Sequence, residues 1–427
     1  MGKNINSILR EVLKTVKPSD EEIKEIDKEL KVFLENINKK TKELKIDAEI
    51  FVGGSYAKGT LIRKDHYDID VFLRFSEKYE QKELPELATK ILGKVKNMEI
   101  LHGSRDYFRV KIKDNLFFEI VPVKKVKKPE EAENVTDLSA SHVGYIKKNV
   151  NKKILDEIKI AKAFCHACHC YGAESYIQGF SGYALELLVY YYKGFMKFIK
   201  AMKKVSLKEK LVIDISKQYK NKQVVMMDLN SSKLNSPVIL IDPTFKQRNA
   251  LAALSYGTFG KFQREVKSFL KNPSIKAFEQ KKTDLEKVKK ESKTRGHDFI
   301  LIEADTDKQV GDIAGSKLLK FYRHLEEEIS RLYGIKNKGF NYNKKQTARF
   351  FFVAKSKGET ILEGPEINDK PNLVKFRSKH KNVFTNKNKL YAREKISLSL
   401  KKFLEDWRNK NTQKIQEMYV TGLRVVE

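Results

Sequence analysis

Apolar residues follow two different spacings along this chain, and the change of spacing separates its first regions. Between residues 7 and 45 they recur every three or four positions, which predicts amphipathic helices. Lys17-Pro18 interrupts this pattern, so we expect two helices, and Ser19 and Glu22 have the spacing of a capping box for the second. This region is therefore predicted to be a helical lead-in.

The segment from Ala48 to Val126 has the sequence pattern of a mixed α/β unit. Short β-rich runs lie between polar turns: AEIFVGG, YDIDVFLRF, YFRVKIK and LFFEIVPV. Their β-branched and aromatic residues predict strands, and helical spacing occurs near residues 84 to 97. Residues 124 to 133 (KKVKKPEEAE) are charged and contain a proline, which predicts a loop that leaves this unit.

Residues 140 to 270 are predicted to be mainly helical. The runs KILDEIKIAKAFCHACHCYG and SGYALELLVYYYKGFMKFIKAM carry apolar residues at helical spacing. A charged stretch, EQKKTDLEKVKKESKTRGHD, then leads to the strand-like run FILIEAD. A helix near 316 to 333 and the runs ARFFFVAK and KLYARE predict a second small α/β unit, and residues 394 to 418 are predicted to return to helix.

Composition narrows the class of partner. With 427 residues and 41% hydrophobic content, the chain is long enough for about two to four domains. Its 86 Lys and Arg residues exceed its 56 Asp and Glu residues, which gives a formal net charge of +30. Such an excess indicates a polyanionic partner, nucleic acid first, although an anionic membrane surface or a salt-adapted cytosol would also favour basic residues.

The N-terminal residues and the distribution of apolar positions indicate a cytoplasmic protein without a membrane anchor. The segment MGKNINSILREVLKTVKPSDEEIKEIDKEL alternates apolar and charged residues and lacks the uninterrupted apolar region of a secretory signal. No stretch of the sequence approaches the roughly 18 apolar residues that a membrane span needs.

The three cysteines, Cys165, Cys168 and Cys170, lie close together in the run CHACHC. Cysteines so close together cannot link distant parts of a large fold, and their spacing fits a reducing compartment, so we expect no disulfide. Cys165 could meet Cys168 or His169 on one helix face, but zinc usually takes four ligands, and no second Cys/His pair with metal spacing occurs. We favour helix packing over metal binding for this cluster.

The strongest chemical signal is the segment VGGSYAKGTLIRKDHYDIDVFLRF. Gly53-Gly54-Ser55 follows a predicted strand and begins a predicted helix, where backbone N–H groups would suit the oxygens of a triphosphate. Asp68 and Asp70 are two residues apart on a strand, so they project from one face and predict a divalent-metal platform. The two acids could instead be paired surface charges, and Ser55 could be only a helix cap.

A third acid, Glu119, is flanked by the apolar residues Phe118 and Ile120 in the run LFFEIVPV. It would complete the site if this strand pairs near the first, although it could be an ordinary edge-strand acid. Three carboxylates would hold two Mg²⁺ ions, one to activate an attacking 3′-hydroxyl and one to neutralise the leaving pyrophosphate.

Together these residues resemble the nucleotidyltransferase superfamily, and later segments narrow the resemblance to the archaeal class of CCA-adding enzymes. The matching pieces run nearly from end to end: GSYAKGT, DID, EIVPV, IAKAF with the following YG, QGFSGYALELLV, IDPTFKQRNALAALS, LEGPEI, FRSKHKNVF and KLYARE. The succession of QGFSGY and the DP and RN pairs of the next segment is the most specific part.

The resemblance implies a fold class and a division into domains. The class is α+β multidomain, with a polymerase-beta-like nucleotidyltransferase head built on a mixed sheet, a helical neck, a mixed body and a small α/β tail. We place the catalytic head at 1–138, the nucleotide- and primer-binding neck at 139–270, the body at 271–315 and 393–427, and the tail at 316–392. The basic runs of the tail suit phosphate contacts along a tRNA stem, with RNA shape read more than sequence.

The resemblance also implies roles for individual residues. Asp68, Asp70 and Glu119 would be the catalytic metal ligands. Further positions would contact the nucleotide: Ser55, Lys58, Lys162 and Tyr171 at the triphosphate, Arg248 in selecting cytosine or adenine together with the RNA backbone, and Ser139 and His142 at other nucleotide atoms. From the residues alone, other interpretations remain: a solvated Lys162, a Tyr171 that packs a helix end, an Arg248 that begins a helix and pairs with Asp242, and a His142 that only packs.

Three positions depart from the pattern of this family. Glu119 stands where the family usually has Asp, so the carboxylate is one methylene longer but keeps its charge. Arg105 stands where His is expected, which would change nucleotide contacts there. Lys58 replaces the usual Arg, exchanging a bidentate fork for a point charge.

The activity implied by the resemblance is template-independent addition of C, C and A to the 3′ end of tRNA from CTP and ATP. The substrate partner would be the tRNA acceptor stem and 3′ end, and the enzyme would act as a monomer or homodimer. A related RNA 3′ nucleotidyltransferase, such as a poly(A) or oligoadenylate polymerase, would share the metal site but not the CTP step. A non-catalytic RNA-binding protein would share only the basic charge.

Overall fold

The computed structural model describes residues 4–93, 95–102, 106–280 and 283–426. The chain forms two compact units, Met1–Lys281 and Lys282–Glu427. Arg105, one of the departures from the family pattern, lies outside the described residues. Within the described ranges, every helix is too short or too polar to cross a membrane.

Two helices precede the first sheet, as the apolar spacing predicts. They are α1 (Ile5–Val16) and α2 (Asp20–Glu43). The predicted capping box is present, because the Glu22 N–H donates to Ser19 Oγ at 3.2 Å and the Ser19 N–H donates to the Glu22 carboxylate at 2.6 Å. The buried face of α1 packs into a helical core, whereas that of α2 packs into the core of the first sheet.

The first sheet is mixed and has the strand order β1-β2-β5-β4-β3. Its strands are β1 (Ala48–Val52), β2 (Tyr67–Phe75), β3 (Met98–His102), β4 (Asp106–Lys113) and β5 (Leu116–Lys124). β2 and β5 are parallel, and the other neighbours are antiparallel. Ile69, Val71 and Leu73 are fully buried on one face of β2, so the alternating residues of this strand lie on the other face.

Two helices connect strands of this sheet: α3 (Gly54–Ala57) and α4 (Leu84–Leu92). The turn GGS therefore follows a strand and leads into a helix, as predicted. The helix predicted near residues 84 to 97 is shorter than expected. It ends at Leu92 because Gly93 takes a positive φ of 58°, a conformation that glycine adopts at little cost and that stops a helix.

The middle of the first unit is mainly helical, which confirms the prediction. The helices are α5 (Ser139–Asn149), α6 (Lys152–Ala167), α7 (Gly182–Tyr191), α8 (Phe195–Lys204), α9 (Lys222–Asp228) and α10 (Tyr256–Lys271). Aromatic rings from these helices fill the core, with Phe164 and Phe262 each in contact with several others. Such interlocking rings bury large apolar areas and hold the helices together.

The helical prediction missed a small sheet in the same region. It has the order β6-β7-β8, formed by β6 (Leu211–Asp214), β7 (Val238–Asp242) and β8 (Phe245–Asn249). All five residues of β7 are buried, and a fully buried strand reads as a continuous apolar run rather than an alternating one. The apolar run VILID was therefore a sign of a buried strand, which the helical spacing of the surrounding region obscured.

The second unit contains a four-stranded antiparallel sheet of order β10-β11-β9-β15. Its elements are α11 (Leu285–Thr294), β9 (Asp298–Asp305), α12 (Asp312–Leu332), β10 (Tyr333–Tyr342), β11 (Thr347–Ser356), α14 (Leu400–Lys410), α15 (Thr412–Glu417) and β15 (Gly422–Val425). The strands predicted at FILIEAD and ARFFFVAK are thus confirmed, and the structure shows that they are neighbours in this sheet. The helix predicted near 316 to 333 begins four residues earlier, at Asp312.

A second, three-stranded sheet of this unit has the order β12-β14-β13. It comprises β12 (Glu359–Glu366), α13 (Lys370–Lys379), β13 (Val383–Asn386) and β14 (Lys389–Lys395). KLYARE is a strand, as predicted, but it extends to Lys395, so the helical stretch predicted from 394 begins only at Leu400. The boundary predicted at residue 316 falls between β9 and its partner β11, so one sheet draws on both predicted domains, and the four-domain division stays a prediction.

Candidate active site

Three acidic side chains project from the same face of the first sheet, opposite the face that is fully buried. Asp68 and Asp70 alternate with the buried residues of β2, which places both carboxylates on one face. β5 pairs beside β2, and Glu119 lies directly opposite Asp70 in the register. Opposed residues of neighbouring strands project from the same face, so the strand LFFEIVPV brings the third predicted acid to the first two.

The glycine turn lies directly against this acid cluster. The Gly53 N–H donates to the Asp70 carbonyl oxygen at 2.9 Å, which fixes the turn on β2. Gly54 has a φ of +60°, and a Cβ at this position would lie 1.7 Å from Asp70 Oδ2. Both the backbone conformation and the close approach therefore require glycine here.

The electrostatics of the acid cluster favour a bound cation. Burial, together with the nearby charges of Asp70 and Asp68, raises the pKa of Glu119 to about 8. Burial also raises the pKa of Asp70, against the opposing charges of Lys58 and Lys162. A divalent cation between these carboxylates would reduce their mutual repulsion.

Arg109, which the sequence reasoning missed, supplies positive charge at this cluster. Its Nη2 donates to Asp68 Oδ1 at 2.7 Å, its Nε lies 3.9 Å from Glu119 Oε1, and its guanidinium lies 4.0 Å from the Phe117 ring centroid. Within the described ranges, no three His, Cys, Asp or Glu side chains are arranged to hold a metal ion. The Asp68 carboxylate instead accepts a hydrogen bond from Arg109. A possible signal was the position of Arg109 between Phe108 and Val110, two buried residues of β4.

A second cluster pairs two of the predicted triphosphate ligands with one buried acid. Lys58 Nζ lies 2.6 Å from Glu186 Oε2, and Lys162 Nζ lies 2.9 Å from Glu186 Oε1. Lys162 also donates to the Thr60 hydroxyl at 2.9 Å, and that hydroxyl donates to Glu186 at 2.6 Å. The interpretation of Lys162 as a solvated lysine is therefore wrong, because its side chain is only 3% exposed.

Glu186 remains charged in this environment. Burial pushes the pKa of its carboxyl up, but the adjacent Lys162 and Lys58 outweigh burial and lower the pKa to about 2. The sequence reasoning missed Glu186, although an acid within the apolar run ALELLV was a signal that it has a buried partner.

A third cluster surrounds Asp242, at the end of β7. Arg248 Nη1 lies 2.7 Å and His142 Nε2 lies 3.1 Å from the Asp242 carboxylate. The His142 ring stacks on Tyr183 with centroids 3.9 Å apart, and the Arg248 guanidinium lies 6.0 Å from the same ring. The alternative pairing of Arg248 with Asp242 is present, but Arg248 lies in β8 and does not begin a helix.

The second and third clusters approach each other at Lys58. The remaining predicted nucleotide ligands are Ser55, Tyr171 and Ser139. Lys58 Nζ is 5.8 Å from the Tyr183 ring centroid, which links the second and third clusters. Ser55 is in α3, and its carbonyl accepts from the Thr60 N–H at 2.9 Å. Tyr171 packs so close to Gly182 that a Cβ there would lie 2.8 Å from the tyrosine oxygen. Ser139 begins α5, the helix that also carries His142.

The cysteine run does not add a further chemical group to the site. Cys165, Cys168 and Cys170 are buried, and burial raises the pKa of Cys165 and Cys170 above the ordinary thiol value. Cys165 and Cys170 are fully buried in the same core as the aromatic rings. These contacts support helix packing for the cluster.

Comparison with solved structures assigns the class of the fold. A structure of the Cid1 poly(U) polymerase with Mg and 3′-dATP bound is similar over 65% of this chain and 99% of its own length, with a TM-score of 0.51 and 14% sequence identity. At that identity the likeness concerns the fold alone. Together with the mixed sheet, it confirms the predicted α+β fold class.

Family models and sequence relatives narrow this class. Residues 156–279 match the second domain of tRNA nucleotidyltransferase, and residues 4–147 match the Second Messenger Oligonucleotide or Dinucleotide Synthetase domain. A CCA-adding enzyme of Saccharolobus islandicus is 30% identical over 77% of this chain and 73% of its own length. That of Methanocaldococcus jannaschii is 28% identical over 91% and 87%, respectively. That of Nanoarchaeum equitans is 41% identical over 49% of this chain, an alignment that spans about half (52%) of the relative. The chain belongs to the archaeal CCA-adding enzymes, as its motifs indicate.

Proposed function

We propose that this protein adds C, C and A to the 3′ end of tRNA from CTP and ATP, without a nucleic-acid template and with release of pyrophosphate. The observation that carries the proposal is that Asp68, Asp70 and Glu119 share one face of the sheet, with Asp70 against the Gly53-Gly54 turn, in a chain of this family. Ser55 lies in the helix that follows this turn, Lys58 ends that helix, and Lys162 donates to the nearby Thr60. We also propose that the enzyme acts in the cytoplasm, and a homodimer stays a prediction.

The three carboxylates are the proposed metal ligands. Their oxygens suit Mg²⁺, and the raised pKa values of Asp70 and Glu119 indicate that burial and the neighbouring carboxylates outweigh the positive charges nearby. When bound, the metal would activate the attacking 3′-hydroxyl and neutralise the departing pyrophosphate. Arg109 competes with a metal for Oδ1 of Asp68, because this oxygen accepts from the guanidinium.

The triphosphate is proposed to lie against Ser55, Lys58, Lys162 and Tyr171. Both lysines are held in place by Glu186, so a triphosphate would compete with this carboxylate for their ammonium groups. Arg248 and His142 are proposed to contact the base and Ser139 a further nucleotide atom. Arginine carries only donors, so it suits bases with an acceptor on the pairing edge.

The direct test is nucleotide incorporation into tRNA transcripts that lack the terminal CCA, CA or A. With Mg²⁺, CTP and ATP, we expect addition that stops after the complete CCA. CTP alone should extend only the transcripts that lack C. Addition of A without C would instead identify a poly(A)-type enzyme, and no incorporation would leave an RNA-binding protein.

The pKa of Glu119 predicts a pH-dependent response to Mg²⁺. A glutamate titrates near pH 4.5 when unperturbed, and this one near 8, so the folded protein binds an extra proton between these values. The contribution of Glu119 to the stability of the metal-free protein therefore falls as pH rises from about 4.5 to about 8. Because Mg²⁺ would replace the proton, the gain in melting temperature on adding Mg²⁺ should be larger at about pH 8 than at about pH 6.

Thermal unfolding with and without Mg²⁺ measures this difference, and Glu119→Gln is its control. The glutamine has a similar shape but no titrating carboxyl, so its response to Mg²⁺ should be weak at both pH values. An equal gain at both pH values in the unchanged protein would contradict the role given to Glu119.

Replacing Arg109 by methionine is expected to tighten divalent-metal binding. The guanidinium competes with the metal for Asp68, so its loss should lower the Kd for Mn²⁺ by about tenfold. Titration of Mn²⁺ followed by electron paramagnetic resonance measures the Kd. The matched control is Lys111→Met, which removes one positive charge two residues away on the same strand, from a side chain that pairs with Asp114. Equal affinities in the two variants would count against direct competition by Arg109.

Binding of tRNA is expected to weaken steeply with salt. The formal net charge of +30 favours phosphate contacts that displace counterions, so the logarithm of the binding constant should fall linearly with the logarithm of salt concentration. Filter binding or fluorescence anisotropy across a salt series measures the slope. Affinity that does not change with salt would contradict recognition through the RNA backbone.

A further inference from the structure

Asp242 is a buried carboxylate that holds several functional side chains at once. Its side chain has no exposed surface. One oxygen, Oδ2, meets Arg248 at 2.7 Å and His142 at 3.1 Å. The other, Oδ1, accepts from the Tyr183 hydroxyl at 3.2 Å and from both the N–H and the hydroxyl of Thr244 at 2.8 Å.

The two oxygens of Asp242 thus have different tasks. The bonds to Oδ1 come from the β-turn that joins β7 to β8 and from α7, so they fix the orientation of the carboxylate. Oδ2 faces the two side chains that the family resemblance assigns to the nucleotide, Arg248 and His142. A carboxylate held on one side by the backbone is a rigid acceptor for the groups on its other side.

We propose that Asp242 is a positioning residue for nucleotide selection, which sets the direction of the Arg248 guanidinium and thereby the preference for cytosine and adenine. This inference rests on the proposed function and assigns a further residue to it. Asp242 is too deeply enclosed to contact the nucleotide itself and acts through Arg248, whose side chain is 18% exposed.

The chemistry of the bases shows why direction matters. Cytosine and adenine each have a ring-nitrogen acceptor on the pairing edge, at N3 and N1, whereas uracil and guanine carry a hydrogen at the corresponding nitrogen. A guanidinium has donors only. When it points at this ring nitrogen, it can therefore bind cytosine or adenine but meets a second donor in uracil or guanine. An arginine that rotates freely would instead find the carbonyl oxygens of uracil or guanine, and discrimination would fall.

The packing around Arg248 supports control by Asp242. The guanidinium has the Tyr183 ring at 6.0 Å and the carboxylate at 2.7 Å, so its position is defined by one strong ionic hydrogen bond and one weak ring contact. Loss of the ionic bond would leave the side chain with its full charge but without a defined direction. Burial opposes ionisation of Asp242, yet His142 and Arg248 keep the pKa of its carboxyl below the ordinary value, so the acceptor stays charged.

The experiment compares incorporation of CMP and UMP into a tRNA transcript that lacks CCA, using the full chain and the variants Asp242→Asn, Arg248→Ala and the double variant. We expect Asp242→Asn to lower the ratio of kcat/KM for CTP over UTP by about tenfold, as for a lost charge-assisted hydrogen bond. The double variant should have the ratio of Arg248→Ala alone, because Asp242 acts through that arginine. Thr244→Val, which removes one bond to Oδ1 and leaves Arg248 paired, should keep most of the selectivity.

The outcomes separate a positioning role from a structural one. An Asp242→Asn enzyme with a lower melting temperature and lower rates but an unchanged CTP/UTP ratio would overturn the inference, as would additive losses of selectivity in the double variant. If Asp242→Asn does not fold, Asp242→Glu tests the same point: it keeps the charge but displaces it by one methylene, so the ratio should fall while the overall charge is preserved.

A second readout distinguishes failure of this inference from failure of the proposed function. The rise in melting temperature produced by CTP or by UTP reports nucleotide binding without tRNA. If the unchanged protein transfers no nucleotide to tRNA, the proposed function fails, and the inference then predicts that Asp242→Asn narrows the difference between the two thermal shifts. An unchanged difference in that variant would overturn the inference by itself.

Discussion

Replacing Asp70 with asparagine is expected to lower the rate of nucleotide addition by about a thousandfold or more, since metal ligation contributes several kcal/mol to such a transfer. Asp70 lies opposite Glu119 and beneath Gly54, at the centre of the proposed metal site. Asparagine has nearly the same shape, so the turn against it should persist while the charge is lost. Incorporation of labelled CTP into tRNA lacking CCA measures the rate.

The control for this variant is Asp114→Asn, in the turn between β4 and β5. Its side chain is 99% exposed and pairs with Lys111, so the same chemical change should leave the rate nearly unchanged. Binding of tRNA and the circular dichroism spectrum should be the same in both variants. An Asp70→Asn enzyme that retains the full rate would exclude the three-carboxylate site as the centre of the reaction.

Replacing Glu186 with glutamine is expected to destabilise the protein by about 3 kcal/mol, because it leaves two buried ammonium groups without their counter-charge. Lys58 and Lys162 both lie within 2.9 Å of this carboxylate, and their side chains are 9% and 3% exposed. The free energy of unfolding, from urea denaturation in the absence of nucleotide, measures the loss. Glu43→Gln is the matched control: Glu43 pairs with Lys40 on an exposed helix surface, where the change should cost less than about 1 kcal/mol.

The same variant tests whether these lysines bind the triphosphate. In the unchanged protein a polyphosphate must compete with Glu186, whereas in the glutamine variant it would supply the missing negative charge. Inorganic tripolyphosphate should therefore raise the melting temperature of Glu186→Gln more than that of the unchanged protein. If tripolyphosphate stabilises neither protein, Lys58 and Lys162 form only an internal ion-pair cluster.

Patterns between near neighbours were readable from the sequence. The capping box at Ser19 and Glu22 is a relation across three residues, and it is present as predicted. The projection of Asp68 and Asp70 from one face follows from the two-residue repeat of a strand and needs no knowledge of the rest of the chain. The family motifs allowed predictions beyond near neighbours, because they imply the fold class and the positions of the site residues as well as the local pattern.

Errors arose where the local pattern was ambiguous or a backbone conformation intervened. β7 is a continuous apolar run because both of its faces are covered, and such a run has no period that separates a strand from a buried helix. For Lys162, the amphipathic helix left a solvated lysine open as an alternative to the triphosphate role. The direction that its side chain faces depends on α7 and on Thr60, which are distant in sequence.

The sequence by itself determined the elements that carry the acids and the glycine turn, since these depend on residues a few positions apart. Only the tertiary structure decided the partners that surround them: Arg109 at Asp68, Glu186 between Lys58 and Lys162, and Asp242 between His142 and Arg248. Lys58 and Glu186 are 128 positions apart, and His142 and Asp242 are 100 apart. Contacts over such separations are set by strand order and helix packing, and residue spacing along the chain contains no record of either.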